Sequence, residues 1–226
     1  MAPRLGGIAA DPSARQATDL AMSRTGGEKR RHALIEEAIR AFGREGYGGA
    51  SLEQIASACG IRKQTLLYYF PTKDALLEAC LRAAGERVTQ EISAGLEGKE
   101  TYWGRAEAVI HSVFRLAEEW PEFPMFIREA SRLGAHAFDQ LTGDLEALQH
   151  RAVRFLQDGM NAGEIRKQDP TFLLFQLYTA VVGSLTEASV LRAMLGEDKS
   201  RVSLRRRERE VVTFVRNALL PAPAEA

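Results

Sequence analysis

Apolar residues recur at helical spacing along most of the chain. Between Glu28 and Glu45 they occupy the positions that share one face of a helix. They are Leu34, Ile35, Ala38, Ile39 and Phe42. Gly46 follows, at a position where glycine commonly ends a helix. No stretch shows sustained alternation of apolar and polar residues, so we expect no sheet and predict an all-α protein.

The same pattern predicts eight further helices, and local signals mark several of their ends. Ser51 followed by Gln54 has the spacing of a capping box, and Asp169 before Pro170 supplies a cap and a first-turn proline. The predicted helices cover about residues 52–59, 62–70, 73–95, 102–120, 124–133, 142–161, 170–195 and 202–219. Residues 1–27 mix Gly, Pro, Ser and Ala without a sustained period, so we expect a flexible N-terminal arm there.

The most specific spacing lies in the segment SLEQIASACGIRKQTLLYYF, residues 51–70. A helix-turn-helix needs a small residue where its helices cross, a glycine in the turn, and apolar residues that seat the second helix. The residues with these properties at the required offsets are Ala56, Gly60, Ile61 and Leu66. The second helix then presents polar side chains near its N-terminal half, where donors reach base edges and phosphates in a major groove. These side chains are Arg62, Lys63, Gln64, Thr65 and Tyr68.

Charge is balanced over the whole chain but not along it. The 226 residues carry 30 Lys plus Arg and 30 Asp plus Glu, which argues against a basic coat protein for nucleic acid. Between Arg24 and Lys73, however, nine basic residues stand against five acidic ones. Arg4, Arg15 and Arg24 of the arm can add contacts to the DNA backbone or minor groove. The N-terminal third is therefore the candidate nucleic-acid surface.

From about Arg30 to Leu77 the sequence resembles the DNA-binding domain of the TetR family of transcriptional regulators. The resemblance is carried by Ile55-Ala56, Gly60-Ile61, Thr65-Leu66 and the run YFPTKDAL at 69–76. The segments LTGDLEAL at 141–148 and AGEIRKQDP at 162–170 are similar to the regulatory domain of the pyrimidine-utilisation repressor subfamily. The resemblance implies a helix-turn-helix domain over residues 28–75 and a larger helical-bundle domain, for ligand binding and dimerisation, over residues 76–226.

The resemblance also implies a homodimer whose two reading helices enter successive major grooves of double-stranded operator DNA. Ser51, Tyr69 and Lys73 would then lie near phosphates. The residues implied to lie closer to bases are Arg62, Lys63, Gln64, Thr65 and Tyr68. Arg62 stands where a small capping Ser or Thr is usual in the family, and Gln64 stands where Gly is frequent. Both add reach and donors, but the missing hydroxyl predicts a looser start of the reading helix.

A small-molecule effector and its pocket in the larger domain are implied by the resemblance, as is release of a repressor from its operator. Aromatic residues at helical spacing are ordinarily core, and we expect most of them to be core here. A pocket would be mostly apolar with a few orienting polar groups. The candidate effector-binding residues are His111, Phe114, Phe126, Arg128, Glu129, Phe175 and Tyr178. His111, alone in an apolar helix, also fits an ordinary core histidine.

The last two helices are the predicted homodimer contact. Residues 170–186 carry no charge and include Gly183, where helices can approach closely. This run is shorter than the roughly 20 apolar residues needed to span a bilayer and contains several polar residues, so we expect no membrane segment. The final helix carries a narrow apolar stripe, which would complete a four-helix contact with the symmetry mates. The stripe is Leu204, Val211, Val215 and Ala218. The arginine run between 201 and 209 is interpreted as a solvated helix face.

The sequence gives little support to other chemistry. The four histidines lack metal-ligand spacing, and Cys59 and Cys80 stand alone, so we expect no metal, no cofactor and no enzyme. The sparse cysteines and the absence of a signal-peptide core favour a cytoplasmic protein. An all-α enzyme or a partner-binding module with an incidental helix-turn-helix pattern stays open, as do an activator and a global nucleoid-type binder.

Overall fold

The computed structural model describes residues 12–133, 142–196 and 200–221. This part of the chain folds into ten α-helices without a strand, which confirms the predicted all-α class. In chain order the helices are α1 (Pro12–Gly49), α2 (Leu52–Ala58), α3 (Lys63–Tyr69), α4 (Lys73–Leu96), α5 (Tyr102–Glu119), α6 (Phe123–Arg132), α7 (Thr142–Asn161), α8 (Pro170–Thr186), α9 (Ala188–Leu195) and α10 (Arg201–Leu219).

Helix α1 begins earlier than the apolar pattern predicts. It starts at Pro12 and includes residues 12–27, where the sequence suggests an arm. Proline suits a first helical turn, and the Ala, Arg, Gln, Leu and Met residues after it have good helix propensity, so a helix forms without a periodic apolar face. Near the other end the backbone leaves helical geometry at Gly46, with a φ of 73°, at the predicted stop, and after this kink the element continues to Gly49. Arg4 lies outside the described residues, and the flexibility of the arm stays a prediction.

A first hydrophobic core is formed by α1, α2, α3 and α4 and extends to residues of α5 and α6. At its centre Phe42 of α1 stacks on Phe126 of α6, with ring centroids 6.5 Å apart. Both rings are fully buried, as is Leu76 of α4. Helices α1 and α6 approach so closely that a Cβ added to Gly43 would lie 2.8 Å from the carbonyl oxygen of Glu122. The core of the helix-turn-helix is therefore continuous with α6.

A second core holds α5, α7, α8 and α10 together. Its buried members are Ile110, Phe114, Leu156, Met160, Ile165, Leu173, Val211, Val215 and Leu219. Val211 and Val215 belong to the stripe predicted to form the dimer contact, and Leu204 packs against the same cluster. Val211 and Val215 are buried within their own subunit and are not available to a partner, which corrects their assignment, whereas Leu204 and Ala218 are partly exposed and the dimer contact through the last helices stays a prediction. A sequence pattern shows that a helix face is apolar but not which neighbour buries it.

The single helix predicted over residues 170–195 is two helices, α8 and α9, which meet at a bend of 81°. Side chains from two other helices bind the last carbonyls of α8. Arg128 Nη1 donates to the Thr186 oxygen at 3.3 Å, and Arg207 Nη1 donates to the Ser184 oxygen at 2.6 Å. No glycine or proline stands at residues 184–190, and these distant arginines bind carbonyls that the end of α8 leaves without a helical partner. Arg207 is buried, which corrects the interpretation of the arginine run as wholly solvated.

Two further observations bear on membrane and metal sites. Within the described ranges, none of the helices is by itself long and apolar enough to cross a bilayer, although α8 and α9 together, bent as they are, satisfy the length and composition. The same ranges contain no cluster of His, Cys, Asp or Glu able to hold a metal ion. Both cysteines are free, and burial raises the pKa of the Cys80 thiol.

Candidate nucleic-acid interface

Helices α2 and α3 and the turn between them, residues 51–70, form what we call the reading unit. Both ends of α2 have a defined local geometry. Ser51 Oγ accepts a hydrogen bond from the Gln54 amide at 3.1 Å, and Gln54 Oε1 accepts one from the Ser51 amide at 3.0 Å. This reciprocal pair is the predicted capping box. At the other end Gly60 has a φ of 67°, a left-handed conformation that glycine adopts without strain. The turn between the two helices therefore has a defined geometry.

Helix α3 is seated on α1, α2 and α4 by apolar residues on its inner face. Leu66 and Phe70 are buried in the first core together with Ile55 and Ala56 of α2. Arg62 occupies the N-cap position of α3, and its side chain makes no capping hydrogen bond. The start of the reading helix thus lacks the side-chain cap that a Ser or Thr would provide. Its first turn is stabilised by backbone bonds alone, including Thr65 N to Arg62 O at 2.9 Å.

The outer face of α3 is open to solvent. Arg62, Lys63 and Gln64 are exposed and Thr65 is partly buried. Tyr68 is 84% exposed, an unusual state for an aromatic side chain in a folded protein. Lys63 Nζ lies 3.8 Å from Glu53 Oε2, but both side chains are exposed, so this ion pair is weak. The donors on this face are therefore available to a duplex.

Tyr69 lies between the core and the surface. It is partly buried against the first core, and its ring meets that of Tyr68 edge to face at a centroid distance of 5.5 Å. Tyr68 is therefore the more solvent-exposed of the two tyrosines. The role of Tyr69 as a phosphate contact stays a prediction.

Lys73 opens α4 and is bound to the end of α1. Its ammonium group donates to the Tyr47 carbonyl and lies 4.4 Å from the centre of the Tyr47 ring. The Tyr47 hydroxyl donates to Asp74, and burial together with this carboxylate raises the pKa of Tyr47 to about 12. Sequence reasoning missed Tyr47 and Asp74, because no spacing rule connects residues 27 positions apart. Lys73 is held in place by these contacts, and an ammonium has three donors, so one bond leaves others for a phosphate.

Two of the predicted effector residues contact other parts of the fold instead of each other. Glu129 Oε1 on α6 accepts a hydrogen bond from the Tyr47 amide at 2.8 Å. Its neighbour Arg128 binds the end of α8, through the Thr186 carbonyl and an ion pair with Glu187 at 3.4 Å. Adjacent residues of α6 thus connect the reading unit to the bend between α8 and α9.

The other five effector candidates are also dispersed. Phe114 lies in the second core and Phe126 in the first, whereas Phe175 and Tyr178 are exposed on α8. His111 is exposed as well, and its Nδ1 lies 2.7 Å from Glu208 Oε1 of α10, so it is not a core histidine. The structure does not bring the seven residues to one cavity, and their role stays a prediction.

A surface cleft of about 270 Å³ lies between α5 and α10. Two of the predicted effector residues, His111 and Phe114, line it. The remaining lining residues are Arg115, Glu118, Leu204, Arg205 and Glu208. Its two carboxylates already have partners in the lining, since Glu118 lies 3.8 Å from Arg205 and Glu208 lies 2.7 Å from His111.

Comparison with known proteins agrees with this geometry. Residues 34–80 match the family described as bacterial regulatory proteins, tetR family. The HTH-type transcriptional regulator RutR of Escherichia coli K12 is 28% identical over 174 residues, which cover 74% of this chain and 79% of RutR. The match with RutR therefore extends well beyond the helix-turn-helix.

Solved structures share the complete fold. FadR from Bacillus subtilis, in complex with stearoyl-CoA, superposes with a TM-score of 0.69 at 15% identity, covering 83% of this chain and 98% of FadR. AibR, in complex with isovaleryl coenzyme A and operator DNA, gives a TM-score of 0.68 at 19% identity, covering 82% of this chain and 97% of AibR. These relatives are all regulators rather than enzymes. Residues 34–80 therefore form a helix-turn-helix domain of the TetR family of transcriptional regulators, and the chain as a whole is similar in sequence to RutR and in fold to other regulators of this family.

Proposed function

We propose that the chain is a homodimeric, cytoplasmic repressor that binds operator DNA through α3 and is released when a small molecule occupies its larger domain. The exposed outer face of α3 on a well-packed reading unit carries the proposal. Arg62, Lys63 and Gln64 offer long donors at its N-terminal end, where base edges are reached from a major groove. The phosphates on either side of that groove are proposed to be contacted by Ser51, Tyr69 and Lys73.

The relatives support control by a small molecule. AibR is described with both an acyl coenzyme A and operator DNA, and FadR with stearoyl-CoA. For this chain the class of effector stays open. The resemblance of the larger domain to the pyrimidine-utilisation repressor subfamily is supported by the 28% identity with RutR.

An exposed apolar surface supports the homodimer. Large apolar side chains of α8, α9 and α10 are exposed in the isolated subunit, and we call this surface the α8–α10 apolar face. It consists of Phe172, Phe175, Tyr178, Val190, Met194, Leu195, Val202 and Phe214. Large exposed apolar side chains three residues apart on one helix, as Phe172, Phe175 and Tyr178 are on α8, commonly belong to a binding surface. A Cβ added at Gly183 would meet nothing within 4 Å, so α8 has room there for a close approach by a second copy. The dimer contact is therefore proposed on the outer side of α8–α10.

Two connections can carry a change from the larger domain to the reading helices. Helix α4 runs from Lys73 at the reading unit to Leu96 beside α5. Helix α6 contacts the end of α1 through Glu129 and the end of α8 through Arg128. An effector must bind better to a conformation in which the two α3 helices are wrongly spaced for DNA. Coupling of about 1 to 3 kcal/mol, or roughly 5- to 150-fold, is typical.

The assigned roles of Lys73 and Gln64 predict different effects on DNA binding. Lys73→Ala should weaken binding to every duplex and lower the steepness of the salt dependence by about one, because it removes a phosphate contact. Gln64→Ala should change the preference at particular bases, by about 1 to 3 kcal/mol at each affected position. Fluorescence anisotropy on duplexes selected from a random DNA pool, measured over a range of salt concentrations, tests both. Equal, sequence-independent losses for the two variants would contradict the assignment.

The proposed switch predicts that effector binding and DNA affinity change together. A small molecule that raises the melting temperature of the protein should also weaken its affinity for the selected operator, by roughly 5- to 150-fold. Thermal denaturation screening followed by DNA titration, with and without the compound, measures the two effects on one sample. A compound that stabilises the protein while leaving operator affinity unchanged would remove the switching role of its site.

A further inference from the structure

We infer that exposed basic residues of α1 form a second DNA contact, to phosphates flanking the half-site that α3 reads. The inference rests on the proposed operator binding. The residues are Lys29, Arg30 and Arg31, all exposed, and we call them the α1 basic cluster. They lie within α1, directly after Gly27 and Glu28.

The α1 basic cluster lies beside the C-terminal end of the reading helix. A Cβ added at Gly27 would lie 3.9 Å from the Tyr69 hydroxyl. The Arg31 guanidinium carbon lies 5.2 Å from the centre of the Phe70 ring, which holds this side chain against the residue that ends α3. Tyr69 is itself a proposed phosphate contact. The cluster is therefore continuous with the proposed DNA surface.

The charges of the cluster are not neutralised by neighbouring acids. Within the described ranges no carboxylate lies within 4 Å of Lys29, Arg30 or Arg31, whereas Lys63 has Glu53 and Arg40 has Glu37 as partners. Glu28 is the one acidic residue of the segment 26–33. Cations without a carboxylate partner, beside a reading helix, are suited to displace counterions from duplex DNA.

The length of α1 gives this contact its reach. From Gly27 the helix continues for fifteen residues to Pro12, about 22 Å at 1.5 Å per residue. That distance corresponds to about six base pairs at 3.4 Å each. The stretch contains Arg15 and Arg24. A duplex longer than the two half-sites should therefore bind better than one trimmed to their outer edges.

The test uses the full chain and two duplexes with identical selected half-sites, one trimmed at the outermost half-site base and one extended by about ten base pairs on each side. We expect wild type to bind the extended duplex about tenfold more tightly than the trimmed one, and Lys29→Gln/Arg30→Gln, which keeps Arg15, Arg24 and Arg31, to show a clearly smaller difference of about threefold or less. The steepness of the salt dependence on the extended duplex should fall by about 0.9 for each phosphate that the variant no longer neutralises. Circular dichroism checks that the variant stays helical.

A charge-matched control separates a local contact from the overall field of the protein. Lys99→Gln/Lys167→Gln removes the same charge from exposed loop positions and should behave as wild type. Wild-type flank dependence and salt dependence in Lys29→Gln/Arg30→Gln would overturn the inference, as would equal loss in the control. If Gln64→Ala and Lys73→Ala also leave DNA binding unchanged, the proposed operator binding through α3 fails instead.

Discussion

Replacing Phe175 by glutamate is expected to give a folded monomer that binds the operator about 10²- to 10⁴-fold more weakly, the range by which two linked sites exceed one. Phe175 is 64% exposed on α8, between Phe172 and Tyr178 of the α8–α10 apolar face. In the isolated subunit a carboxylate at this position stays in water. In the proposed symmetric dimer it would be buried against apolar surface without a partner, which opposes association.

Analytical ultracentrifugation gives the oligomeric state, and anisotropy on the selected operator gives the affinity. Tyr68→Glu is the matched control, because Tyr68 is also an exposed aromatic residue but lies on α3. This control should remain a dimer and lose DNA binding through repulsion from phosphates. A Phe175→Glu protein that is still dimeric at the same concentration would place the dimer contact elsewhere.

Phe126→Ala is expected to lower the free energy of unfolding by about 3 to 5 kcal/mol, the usual cost of removing a buried aromatic ring. Phe126 is 1% exposed and stacks on Phe42 where α1 meets α6. The neighbouring backbones cannot close the cavity easily, since Gly43 already sets a close approach between these helices. Because typical domains have a total stability of about 5 to 15 kcal/mol, the effect would be large.

Urea denaturation followed by circular dichroism, at one fixed protein concentration, measures this loss. Tyr68→Ala serves as the control, because removal of a mostly exposed ring away from the core should change stability by no more than about 0.5 kcal/mol. A loss below about 1 kcal/mol for Phe126→Ala would mean that the contact between α1 and α6 contributes little to the stability of the fold.

The helix-turn-helix was predictable because its signals are local. The capping box at Ser51, the left-handed Gly60 and the small Ala56 act within about ten residues of one another, so their spacing in sequence determines their geometry. The helical class followed from apolar periodicity in the same way. The positions of α3 that the apolar pattern leaves out form its solvent-exposed outer face, and the side chain of Tyr68 is exposed as the sequence predicts.

The remaining features depend on contacts between distant segments. The partner of Lys73 is a backbone carbonyl 26 residues earlier, and the carbonyls at the end of α8 are bound by arginines of α6 and α10. Glu129, a pocket candidate through the family resemblance, accepts a hydrogen bond from the Tyr47 amide near the end of α1, a contact that no local pattern predicts. The apolar stripe of α10 could face inward or outward on periodicity alone, and only the positions of α5 and α8 decide between them.

The shared core between α1 and α6 has a consequence for building hybrid regulators. A natural place to exchange sensing domains is the boundary after residue 75, but Phe42, Leu76 and Phe126 would then come from different parents. The Glu129 carboxylate would also have to meet a foreign Tyr47 amide. Hybrids that inherit α1 and α6 from the same parent should therefore respond to their inducer more often than hybrids joined at the linear boundary.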